Sequence, residues 1–340
     1  AINALAVLGT ADDVPMLANV AAKGPGAEKS AAEGALCRMA AKGTDEAIMK
    51  CMATGDPALK ATMVRCLAAR RCKSAVPTLL KAAADPDQRV RTEALKALGA
   101  LGDQAILPQL TQLLVAAKSS GERSAAEKAI QSIASRVKDP NARTAPLISA
   151  LPKASVEAKR SLLALLGRLG GPKALAAVRA ALKDPNHQVK DGAIRALANW
   201  PDATVLPELL DLAKNAPQPV QRIIALRGYV RLLGLPNKRK PEESLKLYQE
   251  AMSAATRPDE KKLILAGLGQ VRHIGALKLA ESCIADPALK EEACLATYNI
   301  ARAIGRRHKA EAKAALQKVL AATRNKRLRR DAGRLLGQLK

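Results

Sequence analysis

The chain has 340 residues, with 56 Lys and Arg against 31 Asp and Glu, a net charge of +25. Hydrophobic residues make up 48%, yet aromatics reach only 1% and phenylalanine is absent. A core restricted to Leu, Ala, Ile and Val suits closely packed helices and disfavours long β-structure, and no apolar run approaches the roughly 18 residues a membrane-spanning helix needs.

The first residues, AINALAVLG, begin without Met and read as the second helix of an incomplete pair closing at Gly9. They point to a piece of a longer protein and leave a removed signal peptide open. Apolar Ile2, Leu5 and Leu8 on this helix predict an N-terminal edge covered by missing repeats or by another chain.

Ten helix pairs are expected to follow, starting near Ala11, Thr44, Lys73, Asp103, Asn141, Pro172, Pro201, Lys240, His273 and His308. The second helix of each pair, helix B, closes on a small residue. These are Gly9, Ala41, Ala69, Gly99, Ser135, Gly167, Asn199, Gly234, Gly269, Gly305 and Gly337, spaced 28 to 36 residues apart. Self-similarity at such a period marks a repeat array. Each unit of an array packs only on its neighbours, so residues 1–340 read as one solenoid rather than two domains.

Residues 73–102 show the unit. KSAVPTLLKAAAD puts Val76, Leu79, Leu80 and Ala83 at helical spacing, the first helix, A. Asp85-Pro86 then breaks it, with Pro expected in the first turn of helix B and Asp as its cap. Val90, Ala94, Leu95 and Leu98 form the buried stripe, and Gly99 and Gly102 are expected to end the helix in a left-handed turn. Asp-Pro recurs at Asp56, Asp139, Asp184 and Asp286. Residues 234–244, in the basic stretch LGLPNKRKPEES, are the best candidate for a hinge or a protease-sensitive loop.

The phrase PDQRVRTEALKALGALGD resembles the B-helix consensus of HEAT repeats, and similar phrases cover nearly the whole chain. The resemblance implies an all-α, right-handed α-α superhelix of about ten helix pairs plus a leading helix. It also implies a non-catalytic scaffold with partners of diverse kinds, because function resides in sites rather than in the fold. Residues 201–304 look like HEAT segments of large exported proteins from Planctomycetes-like bacteria.

Aligned on the closing residue, the B helices show two basic columns. Arg91, Lys159, Lys190, Arg222, Lys261, Lys290 and Arg329 match the consensus basic position, which in HEAT repeats commonly pairs with an Asp near the A–B turn of an adjacent unit. Lys96, Arg195, Arg227 and Arg334 have no such counterpart and are the candidates for ligand contact on the concave wall that B helices usually line. From Ala301 to Lys340 there are 13 Lys and Arg against Glu311 and Asp331. Within this stretch Arg327, Arg330 and Arg334 share a helix face, which could cradle phosphates or cap the array.

Chemistry is sparse. The six cysteines, Cys37, Cys51, Cys66, Cys72, Cys283 and Cys294, contain no Cys-x-x-Cys, and no zinc or other metal site is expected. Cys283 and Cys294 lie on the two helices of one unit and are a candidate disulfide. Their clustering, with the exported resemblance, favours an exported location over the cytoplasm. His187, His273 and His308 are far apart, and no His-Glu dipeptide of the kind used by HEAT-like hydroxylases occurs. No phosphate loop or nucleophile elbow is present, so no cofactor and no catalysis are expected. Trp200, beside Pro201 at a unit junction, reads as packing. The sequence thus points to a scaffold for a protein or other anionic, extended partner. The alternatives are sequence-independent nucleic-acid backbone binding, or service as an accessory segment of a larger enzyme.

Overall fold

The computed structural model describes residues 2–339, and all the regular structure among them is helical. Contacts between backbone positions divide the chain into two compact units, one up to Gly192 and one from Ala193 onward.

In the first unit, α1 (Ile2–Leu8) stands alone. It is followed by the pairs α2 (Val14–Lys23) with α3 (Gly26–Arg38), α4 (Thr44–Thr54) with α5 (Pro57–Ala69), and α6 (Val76–Ala82) with α7 (Gln88–Leu101). Then come α8 (Leu107–Ala116) with α9 (Ser120–Ala134), α10 (Pro140–Ala150) with α11 (Val156–Leu169), and α12 (Pro172–Ala181) with α13 (His187–Ala198), within which the unit boundary falls. The second unit continues with α14 (Leu206–Asn215) and α15 (Pro219–Leu233), α16 (Pro241–Ala254) and α17 (Pro258–Leu268), α18 (Ile274–Ser282) and α19 (Lys290–Ile304), and α20 (Lys309–Ala322) and α21 (Lys326–Gln338).

Short 3₁₀ turns lead into several A helices, and a Pro follows in the first helical turn, as Pro77 does in α6 and Pro108 in α8. The missing N–H of Pro is one the helix start leaves unbonded anyway. Within each unit, B helices stack on B helices: α5 on α7 and α7 on α9 in the first, α15 on α17 and α17 on α19 in the second. Leu and Ala fill the space between layers. Trp200 and Tyr229 are the largest buried side chains, at 1% and 0% exposure.

Two expectations about the unit's ends change. Gly99 lies inside α7 rather than at its end, and a Cβ there would sit 2.8 Å from the Cα of Ala129 on α9. Gly228 does the same against Ala198, at 2.5 Å. At Gly99 the small residue thus serves helix-to-helix contact, whereas Ser135, Gly234, Gly269 and Gly305 do close their helices. Gly102, which does end α7, has an extended backbone (φ −73°, ψ 161°). Left-handed glycines occur instead at Gly43, Gly170 and Gly171.

The Asp-Pro pairs divide into two kinds. Asp56 and Asp139 cap their helices directly, accepting from Leu59 N at 2.9 Å and Asn141 N at 2.9 Å, with the Pro as first helical residue. Asp85 is not a helix cap. Asp87 takes that role for α7, accepting from Arg89 N at 2.8 Å and Val90 N at 3.3 Å. Asn186 likewise accepts from Gln188 N at 2.9 Å at the start of α13, so neither Pro86 nor Pro185 is helical. Asp85 and Asp184 thus leave the cap to another residue, whereas Asp56 both caps its helix and meets Lys23 at 2.8 Å.

Candidate functional site

The freed aspartates receive lysines from the preceding repeat. Lys60 on α5 reaches Asp85 at 2.8 Å, and Lys159 on α11 reaches Asp184 at 3.1 Å, both across 25 residues. Burial pushes the Asp85 carboxyl up, but Lys60 and the Asp87 amide outweigh it and hold it below the usual carboxylate range. The Asn186 amide and Lys159 lower Asp184 in the same way. These are turn-to-helix joints, and they engage cations that would otherwise be available to ligands.

Arg91 makes a different joint. Its Nη1 donates to the carbonyls of Asp85 and Pro86, each at 2.7 Å, and its Nη2 donates to the buried Glu122. Arg329 donates to Thr323 O at 2.9 Å, again six residues back across its own A–B turn, as Arg123 does to Ala117 O at 3.1 Å. Lys190 is half-buried and adds its field to Asp184. Arg222 and Lys261 have no ion pair among the described residues, and Arg222 lines a cleft of about 320 Å³ between α14, α15, α16 and α17.

A further arginine column went unread in the sequence. Arg70 donates to Leu36 O at 2.8 Å and Met39 O at 2.6 Å. Arg136 donates to Gly99 O and Gly102 O at 3.2 and 3.0 Å, and Arg231 to Ala198 O and Trp200 O at 3.0 and 2.6 Å. Each satisfies carbonyls at the C-terminal end of the preceding B helix, which that helix cannot bond itself. The signal available in sequence was an Arg directly after the small closing residue, as at Ala69-Arg70 and Ser135-Arg136.

The second basic column behaves unevenly. Lys96 closes on Glu93 of its own helix at 2.7 Å. Arg195, Arg227 and Arg334 are exposed and have no hydrogen bond or ion pair from their side chains among the described residues. Arg327 and Arg330 stand 3.9 and 3.6 Å from Asp331 and are exposed as well. At the other end, Leu8 is 79% exposed while Ile2 and Leu5 are half-buried.

All six cysteines are free thiols. Cys283 donates to Leu279 O at 3.5 Å, and burial pushes the Cys294 thiol up to about 11. His273 accepts from Gly275 N through Nδ1 at 2.9 Å, the role of a helix cap. No group of three or more His, Cys, Asp or Glu is placed to hold a metal among the described residues, and no described helix is long and apolar enough to cross a membrane.

Stacked two-helix repeats with turn joints of this kind define an α-solenoid. The chain belongs to the HEAT-repeat family, whose model matches residues 46–131 and 144–229. No curated protein matches it in sequence. Among solved structures it is similar to the karyopherin Kap121p bound to the extreme C-terminus of the protein phosphatase Cdc14p, at TM-score 0.61 and 14% identity over 96% of this chain and 41% of that one. It is also similar to Kap121p bound to Nup53p, at TM-score 0.60 and 13% identity over 94% and 41%. A homology model of the AP-3 complex matches at TM-score 0.50 and 13% identity, over 96% of this chain and 65% of that one. The chain spans about two-fifths of the karyopherin's length. At these identities the likeness is one of fold.

Proposed function

We propose that this chain is a non-catalytic interaction scaffold whose B-helix surface binds an acidic, extended segment of a protein partner. The observation that carries the reading is the pair Arg195 and Arg227. They stand on the consecutive B helices α13 and α15, exposed and without acidic partners among the described residues, while Arg231 nearby donates to two carbonyls. Unpaired guanidiniums one repeat apart match carboxylates spaced along an extended chain, and such charges set encounter rate and register. Kap121p, a protein of similar fold, is solved bound to Nup53p and to the extreme C-terminus of Cdc14p, which supports protein binding in general.

The exposed face of Arg327, Arg330 and Arg334 favours a second reading, contact with a nucleic-acid backbone. One experiment separates the two. Fluorescence anisotropy with a labelled Glu-rich peptide and a mixed-sequence DNA duplex, across a salt series, should show the peptide bound near physiological salt. R195E/R227E should weaken peptide binding by roughly tenfold, the order expected for two reversed surface charges. A duplex that binds tighter than the peptide with a steep salt slope, unaffected in R195E/R227E but reduced in R327E/R330E, would favour the second reading.

A further inference from the structure

The edge of the second unit where B helices end carries arginines in two states. Arg231 is engaged with the carbonyls of Ala198 and Trp200, as Arg70 and Arg136 are with their own neighbours in the first unit. Arg272, Arg302 and Arg306 lie on the corresponding edge of α17 and α19 and make no hydrogen bond or ion pair with their side chains among the described residues. Arg306 even follows Gly305 directly, as Arg70 follows Ala69 and Arg136 follows Ser135. The Arg302 guanidinium stands 5.7 Å from the centre of the Tyr298 ring. Stacking of this kind orients a guanidinium while leaving its N–H groups available.

These three arginines, with Gln270 and Asn299, line a cleft of about 420 Å³. Gln270 and Arg272 also belong to the lining of an adjoining cleft of about 300 Å³, walled by Arg239 and Tyr248. Neither lining contains a carboxylate. Arg239 donates from Nη2 to Leu233 O at 2.6 Å, but its Nε and Nη1 are buried without any acceptor. Buried donors left unbonded are uncommon and call for a reason. Tyr248 packs over Gly267, where a Cβ would come within 2.5 Å of the hydroxyl, so the glycine is what lets the ring form that wall.

We infer that this double cleft is a binding site for a compact polyanion carrying adjacent phosphate groups. Clefts of this size match small-molecule sites, but such sites are mostly apolar. A lining of guanidiniums and carboxamides instead selects a ligand whose binding is dominated by charge. Guanidinium forks fit pairs of phosphate oxygens in a bidentate manner. Four cations lining adjoining clefts that hold no carboxylate favour a ligand with several adjacent negative charges, since a single sulfate reaches only one of the two clefts. The site lies apart from Arg195 and Arg227 in sequence and calls for a small ligand, so it stands or falls independently of the scaffold reading.

Isothermal titration of the whole chain at about 0.15 M salt, where diffuse surface attraction is already screened, tests the site with inorganic tripolyphosphate, adenosine triphosphate and sulfate. Tripolyphosphate should bind saturably at one site, with sulfate at least roughly tenfold weaker. R302Q/R306Q, both at exposed positions, should abolish this binding while leaving the circular dichroism and thermal melt unchanged. R327Q/R330Q should leave the binding intact. Adenosine triphosphate binding more tightly than tripolyphosphate would identify the ligand class as a nucleotide, and equal binding would identify the phosphate chain alone. Absence of saturable binding to either polyphosphate overturns the proposal. So does a loss of binding in R327Q/R330Q as large as in R302Q/R306Q, which would make the attraction one of general charge.

Discussion

Arg91→Met tests the joint between α7 and α9. The substitution keeps most of the side chain's aliphatic length and removes three sets of interactions: two hydrogen bonds at 2.7 Å to the carbonyls of Asp85 and Pro86, and the ion pair with Glu122. The pair is largely shielded, with Arg91 19% and Glu122 5% exposed. Removing one partner of a buried pair costs about 3–5 kcal/mol, because the other charge stays buried and uncompensated. Glu122 would keep only the Lys118 amide, at 3.2 Å. With some relief from the partial exposure of Arg91, the expected loss is about 3 kcal/mol. That corresponds to a fall in melting temperature of about 6–12 °C for a unit of this size. Urea unfolding followed by circular dichroism measures it, and repeating the measurement from pH 7 to pH 3.5 tests its origin. In the native protein burial raises the Glu122 carboxyl, but Arg91 and the Lys118 amide overcome this and hold it below its ordinary value of 4.5. The stability it contributes is therefore complete above that ordinary value and is lost as pH falls through the lower native one. In the variant the carboxylate is a liability while charged, so the deficit should be largest at pH 7 and shrink once Glu122 is protonated. A deficit below about 1 kcal/mol, less than a single lost hydrogen bond usually costs, would refute the reasoning. A deficit that did not change with pH would show the cost to be packing rather than charge.

Three further outcomes are expected. Gly228→Ala should destabilise by about 1–3 kcal/mol, since its Cβ would press on the Ala198 backbone at 2.5 Å and outweigh the gain in helix propensity. Gly333→Ala, in α21 with nothing within 4 Å of the new Cβ, should instead stabilise by about 0.5–1 kcal/mol, and thermal melts of both distinguish contact from propensity. Cys37 should alkylate with half-maximal rate near pH 7, because the influence of the neighbouring Cys66 thiol favours its thiolate and lowers it to about 7. In Cys66→Ala the iodoacetamide profile should move upward by more than one pH unit, each unit being ~1.4 kcal/mol of interaction, and an unmoved profile would exclude the contact as the cause.

The helix pairs were legible because their punctuation is local. Pro77, Asp87 and Gly102 act within a few residues of where they stand, so the A helices, counted with the 3₁₀ turns that lead into them, begin within about two residues of the expected starts. What joins repeats depends on register across 25 to 37 residues, which a single strand of text does not display. Asp85 reads like Asp56, yet Asp56 caps its own helix while Asp85 leaves the cap to Asp87 and takes Lys60 across the turn. Gly99 reads like a stop until Ala129 is found against it. Arg136 and Arg306 both follow a small closing residue, and only the fold shows that one is bonded to carbonyls while the other opens onto a cleft. Of the ligand candidates, Arg195 and Arg227 stood out because they fall outside the consensus column, whereas Arg272 and Arg302 belong to no column at all.

The lysine joints run one way along the chain. Lys60 reaches forward to Asp85 and Lys159 forward to Asp184, with Lys side chains 25% exposed and the acceptors 10% and 18% exposed. Each such repeat is a tongue whose groove belongs to its successor. A truncation at Ala69, the natural-looking end of a repeat, leaves Lys60 without its acceptor, whereas one placed beyond Asp87 keeps the joint whole. Where a piece of this protein is excised for study, the sound place to cut is therefore after the receiving turn, not at the end of the helix.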